Sequence, residues 1–475
     1  MAAERRVPVE RALTLRRFSR AFFPEPLDAS EMAEFYSDAL SICRGTDLVR
    51  RMSNHLVAAS EDAFYFKGVI YGNRGTGKST EIVRLLAAPE IRAKFVSIVV
   101  DAVTDLNPRS FTVVDVLLVA IANLIDACEA KCRDLGRAFH EAGTMHQDLQ
   151  QALAPFFPAL QAKVQDTVTK GGSVEGSFFG LAKASVRIEG QRRTDVLQKK
   201  ESLSELGRAL DSYIAAIKVH LPEYEFVVVG ENFDREQISR DRLADTFIEF
   251  GGLFRDLQLH LLFTLPVPFV NAHRSALPFR RQNQYPIYDI PVCTAVHATD
   301  PDGCKSLRLL VEKRADPALF DDAAIDLMIR ASGGDLSWLF SILVLSAERA
   351  RYRNEDFPET PARILFDDAE RVVLEQLSMF RNEMGVDPDD PDDAPWPDKR
   401  AKLRAIYEEA PDADVPSSVL YHLLRRRAVL YFNGRGRYGV HPMAVEILRE
   451  QLDGRDETFH YRGGGLDSIP PAPKK

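Results

Sequence analysis

Cysteine is scarce in this chain: Cys43, Cys128, Cys132, Cys293 and Cys304 are all there is in 475 residues. Five thiols so scattered exclude a disulfide framework and fit a reducing cytosol. Cys128 and Cys132 share a helical spacing, yet with His140 and His146 they form no second pair at metal-ligand spacing, so helix packing rather than zinc accounts for them. Long apolar runs are missing too. The longest, Thr112 to Ile125, carries Asp115 and falls short of the roughly 20 residues a membrane span needs, so it reads as a buried helix. Positive charge is not in excess, with 61 Lys and Arg against 70 Asp and Glu and a net charge of -9. That balance excludes a surface coated with nucleic-acid contacts and leaves room for one local basic patch. Arginines crowd the first twenty residues without an apolar h-region, so no secretory signal is read there; a transit peptide is the lesser alternative, its acid-poor pattern interrupted by Glu4 and Glu10. No internal repeat is visible.

What is present is ordinary globular composition, 45% apolar and 28% charged, over a length that predicts about two or three domains. Aromatic and β-branched residues from Phe64 to Tyr71 predict a buried strand, and Lys78 to Ala88 a helix. Four further strands are expected at Phe95–Val100, Tyr224–Gly230, Leu259–Leu265 and Tyr285–Val292, with helices at Thr112–Cys128 and Glu201–Ile217. The alternation predicts an α/β fold, a mostly parallel sheet with helices on both faces. Residues 133–198 break that rhythm and read as an insertion, with a hairpin around Gly180 between Gly171 and Gly190. Helices at Cys304–Lys313, Asp321–Ala331 and Leu336–Arg353 suggest a helical lid. The acidic, proline-rich stretch Asp387–Asp398 reads as a linker. Beyond it, helices at Ala401–Ala410 and Ser417–Arg427, two strand-like runs about the Asn433-Gly434 turn, and a helix at Met443–Gln451 predict a winged-helix module.

Between the first strand and the first helix of the sheet domain stands GNRGTGKST, Gly72 to Thr80. It meets every fixed position of G-x-x-x-x-G-K-[ST] in the strand-to-helix context such a loop requires. Gly72, Gly75 and Gly77 let the backbone curl until its N–H groups, through Asn73, Arg74, Thr76 and Thr80, converge on phosphate at a helix N-terminus. Lys78 is placed to reach the β- and γ-phosphate oxygens, and the Ser79 hydroxyl to bind magnesium. ATP and Mg2+ are the expected ligands.

Hydrolysis also needs carboxylates at the end of a neighbouring strand, and VVVGENFDRE supplies Glu231 and Asp234. Here the chain resembles the AAA+ and STAND branch of P-loop ATPases, of the origin-recognition and KAP-like bacterial kind, over roughly residues 40–450. In one register of that resemblance Glu231 orders the magnesium shell and Asn232 replaces a second acid; in the other Gly230 takes the metal slot and Glu231 the catalytic one. The resemblance further implies a sensor-1 contact from Thr264 and an arginine finger from Arg274, Arg280 or Arg281. It places Ser337, in SGGDLSWLF, where relatives of the origin-recognition type keep a sensor-2 arginine. With two usual catalytic positions filled by Asn232 and Ser337, a slow ATPase is expected.

The resulting division is an N-terminal helical or flexible segment at 1–45, an ATPase core at 46–295, a lid at 296–386, a linker at 387–398, a winged helix at 399–452 and a disordered tail at 453–475. The implied function is a nucleotide-controlled cytoplasmic switch with a homo-oligomeric or protein partner; a regulatory scaffold in bacterial conflict or defence is the setting the resemblance suggests. The alternative is an ATP-dependent DNA-binding loader or transposition-type regulator, in which Arg425–Arg427 at a helix end and Arg435 and Arg437 at the wing touch phosphates. Membrane and zinc are not expected partners. His441, ahead of Pro442, is read as a structural histidine, with a nucleotide contact as the other assignment.

Overall fold

A computed structural model of the chain describes residues 8–45, 47–139, 148–149, 151–153, 156, 200–293, 299–386, 393–433 and 438–452. The hairpin expected at 171–190, most of the 133–198 insertion, the wing-tip residues Arg435 and Arg437, and the 453–475 tail lie outside the described residues. Two compact units form: one of Met1–Leu48, Gly72–Arg84 and Ile287–Lys475, the other of Val49–Tyr71 and Leu85–Pro286.

In chain order the main elements are α1 (Leu48–Glu61), β1 (Lys67–Gly72), α2 (Lys78–Ala87), β2 (Phe95–Asp101), α3 (Val113–Asp134), α4 (Lys200–Lys218), β3 (Glu225–Glu231), β4 (His260–Leu265) and β5 (Gln284–Ile287). They continue with α5 (Pro301–Arg314), α6 (Asp322–Ala331), α7 (Leu336–Asp356), α8 (Phe366–Glu383), α9 (Trp396–Tyr407), α10 (Ser418–Arg425), β6 (Val429–Tyr431), β7 (Tyr438–Val440) and α11 (Pro442–Leu452).

The sheet unit carries five strands in the order β2-β3-β4-β1-β5, and the β2–β3, β3–β4 and β4–β1 pairs run parallel. Continuous apolar strands such as Phe226–Val229, buried on both faces, are what a parallel sheet covered by helices requires. Helix α3 packs on β2. It starts where the sequence says it must: the Thr112 hydroxyl accepts from Asp115 N, and the Asp115 carboxylate accepts from Thr112 N at 2.8 Å, a reciprocal capping box. Edge-to-face contacts among Phe233, Phe247 and Phe263 fill the core beneath the strand ends.

Three expectations are corrected. Strand β5 ends at Ile287, short of Val292, because Asp289 N donates to Tyr431 O at 2.9 Å, and Pro291 has no N–H to give a ladder. Helix α8 was not expected. Helix α9 begins at Trp396, inside the stretch read as linker, with Pro397 in its first turn, where a missing N–H costs nothing. In the other unit, α9, α10, the antiparallel β6–β7 pair and α11 follow in the helix-helix-hairpin-helix order expected for a winged helix. No helix among the described residues is long and apolar enough to cross a membrane.

Candidate nucleotide-binding site

The loop from Asn73 to Gly77 leaves β1 and enters α2 at Lys78. Gly75 and Gly77 stand at φ +83° and +88°, a left-handed backbone that side chains resist and that turns successive N–H groups inward. The Lys78 ammonium donates to the carbonyls of Gly72 at 3.0 Å and Asn73 at 2.7 Å, so the side chain lies folded along its own loop, 7% exposed. Thr76 Oγ1 donates to Asn73 O at 2.9 Å and tightens the same turn. Arg74 is exposed, while Ser79 and Thr80, on the first turn of α2, are half-buried. The chain has a P-loop NTPase fold.

The P-loop is braced by residues that sequence reading passed over. Arg44, 6% exposed, donates from Nη2 to Thr76 O at 2.5 Å and from Nε to Tyr288 O at 3.0 Å, and lies 3.8 Å from Glu81 on α2. Glu81 also accepts from the Tyr36 hydroxyl at 2.8 Å. On the other flank Asp289 Oδ2 accepts from Asn73 Nδ2 at 2.6 Å and from Tyr431 N at 2.7 Å. Burial first, with Asp335 adding to it, pushes the Asp289 carboxyl up to about 7, against the lowering pull of the Tyr431 and Asn73 bonds. A cavity of about 260 Å³ opens beside this bracing, with Arg44, Tyr288, Asp289, Asn433 and Tyr438 among its lining residues. Nothing in the local pattern around Arg44 or Asp289 marks them; their importance comes from partners 32 and 216 positions away.

The acids expected to serve hydrolysis lie in the sheet unit. Glu231 closes β3 opposite Asp101, the last residue of β2. Burial, then the neighbouring charges of Asp101 and Asp234, push its carboxyl up to about 7, and its Oε1 is buried without a hydrogen-bond partner. An acid at Gly230 is excluded by packing: a Cβ there would come within 2.2 Å of the Phe263 ring. Asn232, at φ +60°, is turned away to donate from Nδ2 to Asp101 Oδ2 at 2.6 Å, and it accepts from Arg235 Nε at 2.8 Å. Thr264, 1% exposed on β4, donates from Oγ1 to Gly230 O at 3.4 Å, next to Glu231 in the chain. Asp234 is half-buried, three residues past the strand end. Arg274 Nη2 donates to the Tyr71 hydroxyl at 3.0 Å and to Asn271 Oδ1 at 3.3 Å, while Arg280 and Arg281 are exposed. A magnesium site of the P-loop kind draws one hydroxyl from the protein and the rest of its shell from phosphate and water. Ser79, half-buried on the first turn of α2, is a hydroxyl of the kind such a site uses, and among the described residues no cluster of three metal-binding side chains is found.

His441 is fully buried: its Nε2 lies 3.1 Å from Ser332 O, and the ring stacks on Phe380 at 5.2 Å between centroids. Burial depresses its pKa to about 4, which keeps it neutral at pH 7. Of the arginines expected to face DNA, Arg427 is turned inward, its Nη1 donating to Asp335 Oδ2 at 2.6 Å.

No protein-family model and no curated protein matches the chain. Among solved structures it is similar to the ORC1 protein of Aeropyrum pernix in complex with DNA, at 14% identity over 85% of this chain and 91% of that one, TM-score 0.36. CDC6P from Pyrobaculum aerophilum matches at 12% identity over 85% and 93%, TM-score 0.35. The Walker-type ATPase PABY2304 of Pyrococcus abyssi matches at 16% identity over 84% and 94%, TM-score 0.38. TM-scores under 0.5 leave function to be read from the chain's own residues.

Proposed function

We propose that this protein binds ATP with Mg2+ at the P-loop and works as a nucleotide-controlled switch of the AAA+ type, with slow hydrolysis. The observation that carries the reading is the loop itself: left-handed glycines at 75 and 77 aim backbone N–H groups at the start of α2, with Lys78 buried among them. When bound, magnesium would supply Lewis-acid polarisation of the phosphates, and Ser79 is the residue to hold it; the resemblance of the sequence assigns Glu231 the ordering of its water. Slow turnover is supported by Asn232, whose amide is already engaged by Asp101 and Arg235 and is not free to polarise a nucleophile. Switching is supported by the common bracing of loop and wing, since Asp289 binds both Asn73 and Tyr431. Assembly with further copies would let exposed Arg280 or Arg281 act on a neighbour's phosphate, as arginine fingers do.

The test is nucleotide titration of the Lys78→Ala chain. Loss of at least about a hundredfold in ATP affinity is expected, because a buried charge-assisted contact to phosphate is removed. ATP binding equal to that of the unaltered chain would overturn the proposal. Mass measurement with and without a non-hydrolysable ATP analogue then tests assembly.

A further inference from the structure

Asp335 sits where a carboxylate is unexpected. An ideal Cβ on Gly75 would lie 2.4 Å from Asp335 Oδ1, so an acid presses on the very loop built to receive anions. The side chain has two fixed partners. Its Oδ1 accepts from Trp338 N at 3.0 Å and caps α7, while its Oδ2 accepts from Arg427 Nη1. Asp335 is 1% exposed, so this pair is held out of water, where a charge without its partner is costly. Arg427 follows α10, at φ +58°, a left-handed conformation for a residue other than glycine. It thus brings a guanidinium from the winged-helix segment to the start of α7, the turn that holds Ser337.

We infer that Asp335 and Arg427 form a latch on the P-loop, in which the Asp335 carboxylate stands in for a nucleoside triphosphate's terminal phosphate, and that the phosphate takes over Arg427 when it binds. Arg427 is then the residue by which the winged-helix segment distinguishes a triphosphate from a diphosphate. The inference rests on the nucleotide reading above. Its physical basis is charge: phosphate and carboxylate repel each other across one small loop, and a guanidinium pairs with either in the same forked geometry. Exchanging one anion for the other keeps Arg427 paired, so the wing responds to phosphate without passing through an unpaired buried charge.

Calorimetric titration with ADP and with a non-hydrolysable ATP analogue, each with Mg2+, tests the latch. Asp335→Asn keeps the helix cap and removes the competing charge, so both nucleotides should bind about tenfold more tightly. Adding Arg427→Gln to that chain should weaken the analogue about tenfold or more while ADP changes by less than about threefold, because only the triphosphate loses a contact. If Arg427→Gln leaves the ratio of analogue to ADP affinity unchanged, the latch is wrong although the nucleotide reading stands. Should neither the unaltered chain nor Asp335→Asn, both folded by thermal melting, bind either nucleotide, the nucleotide reading fails and takes the latch with it. Arg427→Lys is the second variant in case the glutamine chain does not fold. It keeps a cation on a long stem but loses the fork, so a reduced triphosphate preference supports the latch and an undiminished one overturns it.

Discussion

Arg44 and Thr76 are joined by a hydrogen bond of 2.5 Å from the guanidinium to the loop carbonyl, in a place where neither group sees water. The second bond of the same guanidinium, to Tyr288 O, runs from another nitrogen, so the arginine holds two separate segments at a fixed spacing. Replacing Arg44 by alanine leaves two carbonyls and Glu81 short of a donor. Chemical denaturation should show a loss of about 2–4 kcal/mol, and Arg44→Lys should recover little of it, since one ammonium cannot serve both directions. An Arg44→Ala chain as stable as the unaltered one would deny it this role.

Glu231 gives a prediction with a pH signature. Its pKa is raised from 4.5 to about 7 in the folded chain, so the folded state holds a proton that the unfolded state has released between those values. Stability from this group is therefore present below about pH 4.5 and is lost as pH rises through 7. Glu231→Gln should melt a few degrees higher than the unaltered chain at pH 8 and at nearly the same temperature at pH 4.5. It should also abolish whatever ATP hydrolysis the chain shows while leaving nucleotide affinity within about threefold. A pH-independent difference in melting would remove Glu231 as the titrating group.

His441 has the opposite sign. Burial lowers its pKa from 6.5 to about 4, so the unfolded chain binds the proton first as pH falls. Stability declines from pH 6.5 downward, by up to about 3 kcal/mol at pH 4 for a fully buried ring. His441→Gln is expected to be less stable at pH 7.5, because the stack on Phe380 is lost, but to lack this part of the acid decline. Parallel stability curves for the two chains would refute the assignment.

A Gly333→Ala exchange tests the same contact from the other side. A Cβ there would stand 2.5 Å from the His441 ring, and the backbone at φ +63° resists it independently. A loss of at least about 2 kcal/mol is expected from overpacking and strain together, read by denaturant titration.

How far the sequence carried depends on the range of the interaction. The strand before GNRGTGKS, the helix after it and the helix beginning at Thr112 are written in residues a few positions apart, and they form where the pattern puts them. Strand β5 was misjudged because its end is decided by Tyr431, far along the chain. Helix α8 was missed although Val372, Val373, Leu377 and Phe380 recur at helical spacing and are all buried, a signal that was there to be found. At the P-loop, Lys78 could be named from pattern alone. Arg44, Asp289 and Asp335 could not, because a lone arginine or aspartate in sequence is indistinguishable from a solvated one until the distant carbonyl, amide or guanidinium that meets it is known. Gly230 shows the same limit: the rings of Phe263 and Phe233, known only from the fold, leave no room for a Cβ there.

The single carboxylate of Asp289, shared between Asn73 and Tyr431, bears on how the chain can be cut. A fragment ending at residue 386 would keep the whole motif GNRGTGKST and look self-sufficient on paper. It would nevertheless strip one wall from the loop, leaving Asp289 without the Tyr431 amide and Asp335 without Arg427. Such a fragment should show protease-sensitive ends around Asn73 and faster amide exchange along α2, the behaviour of a fragment missing its complement and not of an independent module.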